Sequence, residues 1–216
     1  FLITHLLLRE AVHSGSFSLG AFYLRRTLRV APAFIAYWIF VMVLARVVDY
    51  EFPSGQPLAS LLYANNYYQA LYGDASTPLS HTWSLAIEEQ FYLLLVVVVI
   101  AAVHTARPIR TLTILIACGW SASIVVQLLA NWPQYQLEFS TITRASELLA
   151  GSALAVLLHT RAEILTRVSS LLRPVGIAAM TVIVLLAATT DYDPPWLLHG
   201  GYGALSLVNA ALVTSL

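Results

Sequence analysis

Trp83-Ser84-Leu85-Ala86-Ile87-Glu88-Glu89-Gln90-Phe91-Tyr92 opens a run that stays apolar from Leu93 to Val103, and two carboxylates one turn inside such a run constrain the whole chain. About 20 apolar residues at 1.5 Å each cross a bilayer core as a helix. Ser84, Glu88 and Tyr92 recur every fourth residue and form one polar stripe, with Phe91 beside it, whereas Glu89 is turned about 100° away. Lipid would leave that stripe unsatisfied, so it must face protein or a water-filled cavity. There Glu88 could take or hold a proton.

Outward from this segment the composition agrees. Hydrophobic residues make up 59% of the 216 and charged residues 10%, with mean hydropathy +0.76, against about 25% charged in a soluble domain. A surface this apolar is solvated mainly by lipid. Five full apolar runs are delimited, at 33–48, 85–103, 111–130, 145–158 and 175–188, with partial ones at 1–8 and 203–216. No run alternates strictly, which sets aside a barrel. The expected fold is all-α: a polytopic transmembrane helical bundle of about five full spans plus a partial span at each end, one membrane-embedded domain over 1–216. Entry on Phe1-Leu2-Ile3-Thr4 and the stop inside an apolar stretch at Leu216 read as an internal fragment.

All eleven basic residues are Arg. Loops 9–29, 104–110 and 159–174 carry most of them, whereas 49–82, 131–143 and 189–200 have none and hold Asp49, Glu51, Asp74, Glu138, Asp191 and Asp193. Alternation of basic loops is what positive-inside insertion requires, and it puts 9–29, 104–110 and 159–174 in the cytoplasm. The outer loops are rich in aromatics, among them Tyr63, Tyr67, Tyr68, Tyr72, Trp132, Tyr135, Tyr192 and Trp196. An interfacial belt is the first reading of these rings and a sugar-stacking surface the second. The single Cys118 reads as a buried, inert thiol. No His-x-x-x-His or comparable spacing supports a metal.

Three further features stand out. Arg26 and Arg29, three apart in Phe22-Tyr23-Leu24-Arg25-Arg26-Thr27-Leu28-Arg29-Val30-Ala31-Pro32, share a helix face that could grip phosphate, or could simply anchor the cytoplasmic surface. Pro32 suits the first turn of the next helix. Arg144 and Glu147 can pair at i,i+3, either as a functional site or as a clasp between helices. Arg46 can snorkel at the outer end of its span.

These residues resemble the acyltransferase 3 family of integral-membrane O-acyltransferases. The resemblance rests on Phe1-Leu2-Ile3-Thr4, on Phe22, Tyr23, Arg25, Arg26, Arg29 and Pro32, on His81 to Tyr92 with Trp83, Ser84, Leu85, Glu88 and Phe91, and on Arg144, Glu147, Leu148, Leu149 and Gly151. It implies an enzyme of the plasma (inner) membrane that takes an acyl group, typically acetyl, from cytoplasmic acyl-CoA to a hydroxyl of an envelope carbohydrate or similar acceptor. No tightly bound cofactor and no nucleic acid are implied. By the resemblance Arg26 and Arg29 engage the CoA phosphates, and Trp83 and Glu88 line the reaction site. Ser84, Tyr92, His81, Arg144 and Glu147 are substrate-site candidates. The family's catalytic His belongs to a preceding helix, and neither His5 nor His81 matches it, so residues 1–216 alone are expected to be inactive. The competing reading is a proton-coupled transporter or flippase using the intramembrane Glu and Arg residues, which leaves the Arg pair without a purpose.

Overall fold

The computed structural model describes residues 1–14, 19–73, 76–167, 169–190 and 194–215. Asp74, Asp191, Tyr192 and Asp193 lie outside the described residues, as do the side chains of Glu10 and Arg167. The described residues are mostly helical, with no strand among them. The helices are α1 (Leu2–Ser14), α2 (Leu19–Val47), α3 (Gln56–Leu61), α4 (Asn65–Tyr72), α5 (Thr82–Val103), α6 (Pro108–Leu129), α7 (Gln134–Phe139), α8 (Thr141–Arg167), α9 (Ser169–Thr189) and α10 (Tyr202–Thr214).

Six segments are long and apolar enough to cross a membrane: Gly20–Val47, Thr82–Val103, Pro108–Leu129, Gln134–Arg161, Ser169–Thr189 and Leu197–Thr214. The fold is the expected all-α polytopic bundle, and the last run, read from sequence as partial, is long enough to span. Two boundaries move. Residues 9–29 are not a loop, because α1 runs through Arg9 and α2 begins at Leu19. Pro32 therefore lies inside α2 rather than in its first turn. A proline costs about 3 kcal/mol inside a soluble helix, but membrane helices tolerate it where neighbours re-satisfy the freed backbone. Residues 159–174 likewise belong mostly to α8 and α9, with the helical path of α8 broken at Arg161 (φ −139°, ψ 37°).

The core is a stripe of side chains without charge. Leu7 and Leu8 of α1, Phe91, Leu95, Val96, Val99 and Ala102 of α5, Leu112 and Ile116 of α6 and Val156 of α8 form one buried cluster. Cys118, expected to be buried, is exposed. It lies about 200° around α6 from Ile116, on the side that faces away from α8.

Above this core the short helices α3, α4 and α7 gather at one end and carry an amide network. Asn65 Nδ2 donates to the Leu79 carbonyl and the Thr82 hydroxyl, each at 2.9 Å, and Asn66 Nδ2 donates to the Phe139 carbonyl at 3.2 Å and to Thr141 at 3.0 Å. Gln90 Nε2 donates to the Tyr63 carbonyl and to Asn66 Oδ1, both at 2.9 Å, and Gln90 Oε1 accepts from Thr141 at 2.5 Å. These bonds fix the ends of α5 and α8 against the cap.

A second amide ties α6 to α8. Gln127 is fully buried and donates to the Thr143 carbonyl at 2.6 Å and to the Ser146 hydroxyl at 3.0 Å, beside Ser123, which donates to the same carbonyl at 3.0 Å. Interhelical bonds of this kind contribute about 0.6 to 1.7 kcal/mol in a membrane protein. Gln127→Leu is expected to lower the unfolding free energy of the reconstituted protein by about 1–2 kcal/mol, from two lost bonds. A titration with dodecyl sulfate measures it, and exposed Leu128→Ala, which removes no such bond, is the control.

Candidate active site

Two guanidinium groups organise the polar interior, and both rest on α5. The first is Arg26. Its Nε and Nη2 donate to Glu89 Oε2 at 3.1 Å and Oε1 at 2.7 Å, a two-pronged pair. The guanidinium carbon lies 3.5 Å from the centre of the Tyr92 ring. Both partners are mostly covered, with side-chain exposures of 13% and 24%. A fork that matches a carboxylate and a ring face that attracts a cation together replace the water that Arg26 gives up.

This geometry corrects two expectations. Arg26 does not sit at the cytoplasmic surface across the membrane from the Trp83–Tyr92 segment; it touches that segment directly. Glu89 is the eighth residue of the 22-residue α5, so its partner is drawn into the bundle. Glu89, placed off the polar stripe by periodicity, is the carboxylate that α2 uses. Ser84 and Glu88 are exposed, Glu88 one turn from the Tyr92 ring over which Arg26 lies, and the Ser84 hydroxyl donates to the His81 carbonyl at 3.2 Å. Arg29, one turn along α2 from Arg26, is exposed, with no ion pair among the described residues. Of the Arg26–Arg29 pair, Arg29 alone is free to meet an anion.

The second centre is Arg144. Its Nε donates to the Glu138 carbonyl at 2.7 Å, Nη1 to Glu147 Oε1 at 3.2 Å and Nη2 to the Tyr202 hydroxyl at 2.9 Å. Its guanidinium carbon lies 3.6 Å from the Tyr202 ring centre and 5.1 Å from that of Trp83. Trp83 also meets Phe139 edge to face at 5.3 Å. The sequence motifs at Trp83 and at Arg144–Glu147, some sixty residues apart, thus form one cluster at the capped end of the bundle, completed by α7 and α10. Arg144 is 11% exposed and Glu147 38%, so the carboxylate keeps a free edge.

His81 is exposed and packs edge to face with Tyr37 at 5.2 Å, while the Tyr37 hydroxyl donates to the Pro78 carbonyl at 2.6 Å. It touches neither guanidinium. Tyr63, above the spans, has its hydroxyl pushed above the ordinary phenol range, by burial first and then by the charge of Glu89. Among the described residues no three His, Cys, Asp or Glu side chains group as metal ligands.

Sequence reading missed Tyr202 and Gln90. Gln90 carried a legible signal: it is seven residues from Trp83, hence about 20° from it around the helix, and an amide in an apolar run needs partners. Tyr202 carried none, since an aromatic at the start of a run reads equally well as an interfacial ring. Of the described outer-loop aromatics, Tyr67 and Trp132 line a small separate cavity of about 190 Å³ with Leu71 and Gln136.

An acyltransferase domain family matches residues 1–214. O-acetyltransferase OatA of Staphylococcus aureus strain NCTC 8325 / PS 47 and its counterpart in strain MRSA252 are each 27% identical to the chain over 228 residues, which is 99% of the chain and 38% of the relative. The chain thus spans well under half the length of these relatives. No solved structure matches. With its motifs gathered in two guanidinium-centred clusters on one helix, and with the family match running from Phe1 almost to the end, the chain belongs to the acyltransferase 3 family.

Proposed function

We propose that the protein is a membrane O-acetyltransferase that moves an acetyl group from acetyl-CoA to a hydroxyl of an envelope carbohydrate. The observation that carries this reading is the convergence of Trp83, Arg144, Glu147 and Tyr202 at the capped end of α5, with exposed Glu88 on the same helix. A bundle that needed only structural clasps would hide its carboxylates; here Glu88 and one edge of Glu147 stay reachable.

In the transfer, the acceptor oxygen forms a bond to the acetyl carbonyl carbon, the carbon–sulfur bond of the thioester breaks, and the proton of the hydroxyl must leave as sulfur takes up its own. Glu88 is the group in this chain placed to receive the hydroxyl proton. Arg144 and Trp83 hold the acceptor end of the site: an aromatic face against a sugar ring, with a guanidinium fixed by three bonds behind it. Arg29, exposed and one turn nearer the capped end than Arg26, is the cation that meets a phosphate of a CoA drawn into the bundle from the cytoplasmic side, because Arg26 is committed to Glu89. Arg26, Glu89 and Tyr92 then position α2 so that Arg29 is presented. The acidic outer loops, the basic opposite ones and the multi-pass bundle support placement in the plasma membrane with the donor on the cytoplasmic side.

The experiment is acetyl transfer from radiolabelled acetyl-CoA by the full-length protein in proteoliposomes, followed by base release of the label. Glu88→Gln is expected to lower kcat by about 10²-fold or more, the usual worth of a positioned proton acceptor. Intact transfer with Glu88→Gln removes Glu88 from the chemistry. Arg29→Ala is expected to raise the KM for acetyl-CoA about tenfold, from the loss of one charge-assisted contact. Unchanged acetyl-CoA binding would end the phosphate assignment.

Arg144 gives a separate test. Arg144→Lys keeps the charge but cannot bond the Glu138 carbonyl, Glu147 and Tyr202 at once. It is expected to insert and fold yet transfer about 10²-fold more slowly, as a misplaced site does. Equal rates for Arg144→Lys and wild type would make the cluster a helix clasp only.

A further inference from the structure

At the C-terminal end of α2, where the last turns of the span give way to the turn at Asp49, the chain turns back and lines an open cleft of about 750 Å³ that neither guanidinium centre uses. Trp38, Arg46, Asp49, Tyr50, Glu51 and Phe52 line it. The volume lies within the roughly 300–1,000 Å³ of small-molecule sites.

Three observations say what would fit there. The Trp38 indole is fixed, its Nε1 donating to the Pro57 carbonyl at 3.0 Å, so its ring is a set platform. Tyr50 and Phe52 meet edge to face at 4.9 Å and supply a second aromatic wall. Arg46, Asp49 and Glu51 line the same cleft without pairing with one another, so one cation and two carboxylates keep their hydrogen-bonding capacity. An Arg and an Asp three residues apart would ordinarily be free to pair on a continuing helix. Here the helix ends between them. Asp49 takes a left-handed conformation, φ 53°, and the Tyr50 amide bonds back to the Ala45 carbonyl at 2.8 Å. A non-glycine residue in that region is uncommon and disfavoured; the turn it makes carries Tyr50, Glu51 and Phe52 round to the cleft.

We infer that this cleft is a carbohydrate-binding subsite for a neutral or amino-sugar glycan, which holds the acceptor chain beside the transfer site. Apolar ring faces suit the C–H face of a pyranose, while carboxylates accept from, and a guanidinium donates to, its hydroxyls. Two carboxylates against one guanidinium leave a negative excess, which disfavours anionic sugars. Helix α3 connects the cleft to the capped end of α5: Pro57 lines the cleft, and Ser60, one turn on, shares a 3.0 Å hydrogen bond with the hydroxyl of Thr82, which precedes Trp83. The inference rests on the O-acetyltransferase reading for its purpose, though its binding test does not depend on turnover.

The test is calorimetric titration of the full-length protein in lipid nanodiscs with chitotetraose, cellotetraose and tetragalacturonate. Chitotetraose or cellotetraose is expected to bind measurably and tetragalacturonate not. The double variant Arg46→Gln/Asp49→Asn and, separately, Tyr50→Ala are expected to weaken the oligosaccharide about tenfold or more, the worth of about 1.4 kcal/mol. Acetyl-CoA affinity and the thermal unfolding midpoint should remain at wild-type values, which separates a lost subsite from a misfolded protein. Glu88→Gln should bind the oligosaccharide as wild type does. Absence of binding by either neutral oligosaccharide, preference for tetragalacturonate, or undiminished binding by both variants would overturn the subsite while leaving the donor-side tests above untouched.

Discussion

A guanidinium inside a bilayer has no water to turn to, and that constraint shapes this bundle. An unpaired Arg at mid-membrane costs about 2.5–3.5 kcal/mol on insertion scales, and a broken buried pair about 3–5 kcal/mol. Arg26 meets the constraint with both oxygens of Glu89 and the face of Tyr92. Because one partner belongs to α2 and the other to α5, the pair fixes where α2 crosses its neighbour. Phe34 against Tyr63 at 4.9 Å, and Tyr37 against His81, continue the same line of contact towards the capped end.

Arg144 solves the same problem differently. It takes the Glu147 carboxylate of its own helix, the Glu138 carbonyl, the hydroxyl and ring face of Tyr202 and the ring of Trp83, so four elements of the chain meet on it. The contrast has consequences for function. Arg26 and Glu89 neutralise each other through two parallel bonds. Glu147 receives a single bond at 3.2 Å from Arg144 and retains exposure, so it keeps the capacity to engage a substrate group. A saturated pair is a fastener; an unsaturated one can also bind.

The fold class and the polar character of α5 were legible in the sequence because hydropathy and Arg placement are local quantities. Pairing is not. From Arg26 alone the positive-inside rule gives a surface anchor, and nothing in the spacing of Arg26 and Arg29 distinguishes the buried one from the exposed one. The partner, Glu89, is 63 residues away, and only the approach of α2 to α5 reveals it. The same distance problem explains the start of α2: a charged stretch reads as loop until each charge is given a partner. Pro32 misled in the same direction, since a proline marks a helix start in water more reliably than in lipid. Arg144 and Glu147 were legible because i,i+3 spacing is local, whereas Tyr202 joined them through tertiary packing alone.

The central place of α5 follows from its period. Trp83 and Gln90 share one face, within about 20°, while Glu89 lies about 240° and Glu88 about 140° round from Trp83. Neighbours claim the first two directions: α7, α8 and α4 through Phe139, Thr141 and Asn66, and α2 through Arg26. The direction of Glu88 is left open, with Ser84 on the same side. A helix whose polar residues were all clasps would have every such direction filled. One carboxylate fastened by two bonds and the next exposed, a single residue apart, leaves α5 anchored through Glu89 with Glu88 as the accessible carboxylate beside it. A one-residue register slip of α5 would turn the helix by about 100° and take Glu89 off Arg26, so the fastening of Glu89 is what fixes the direction in which Glu88 points.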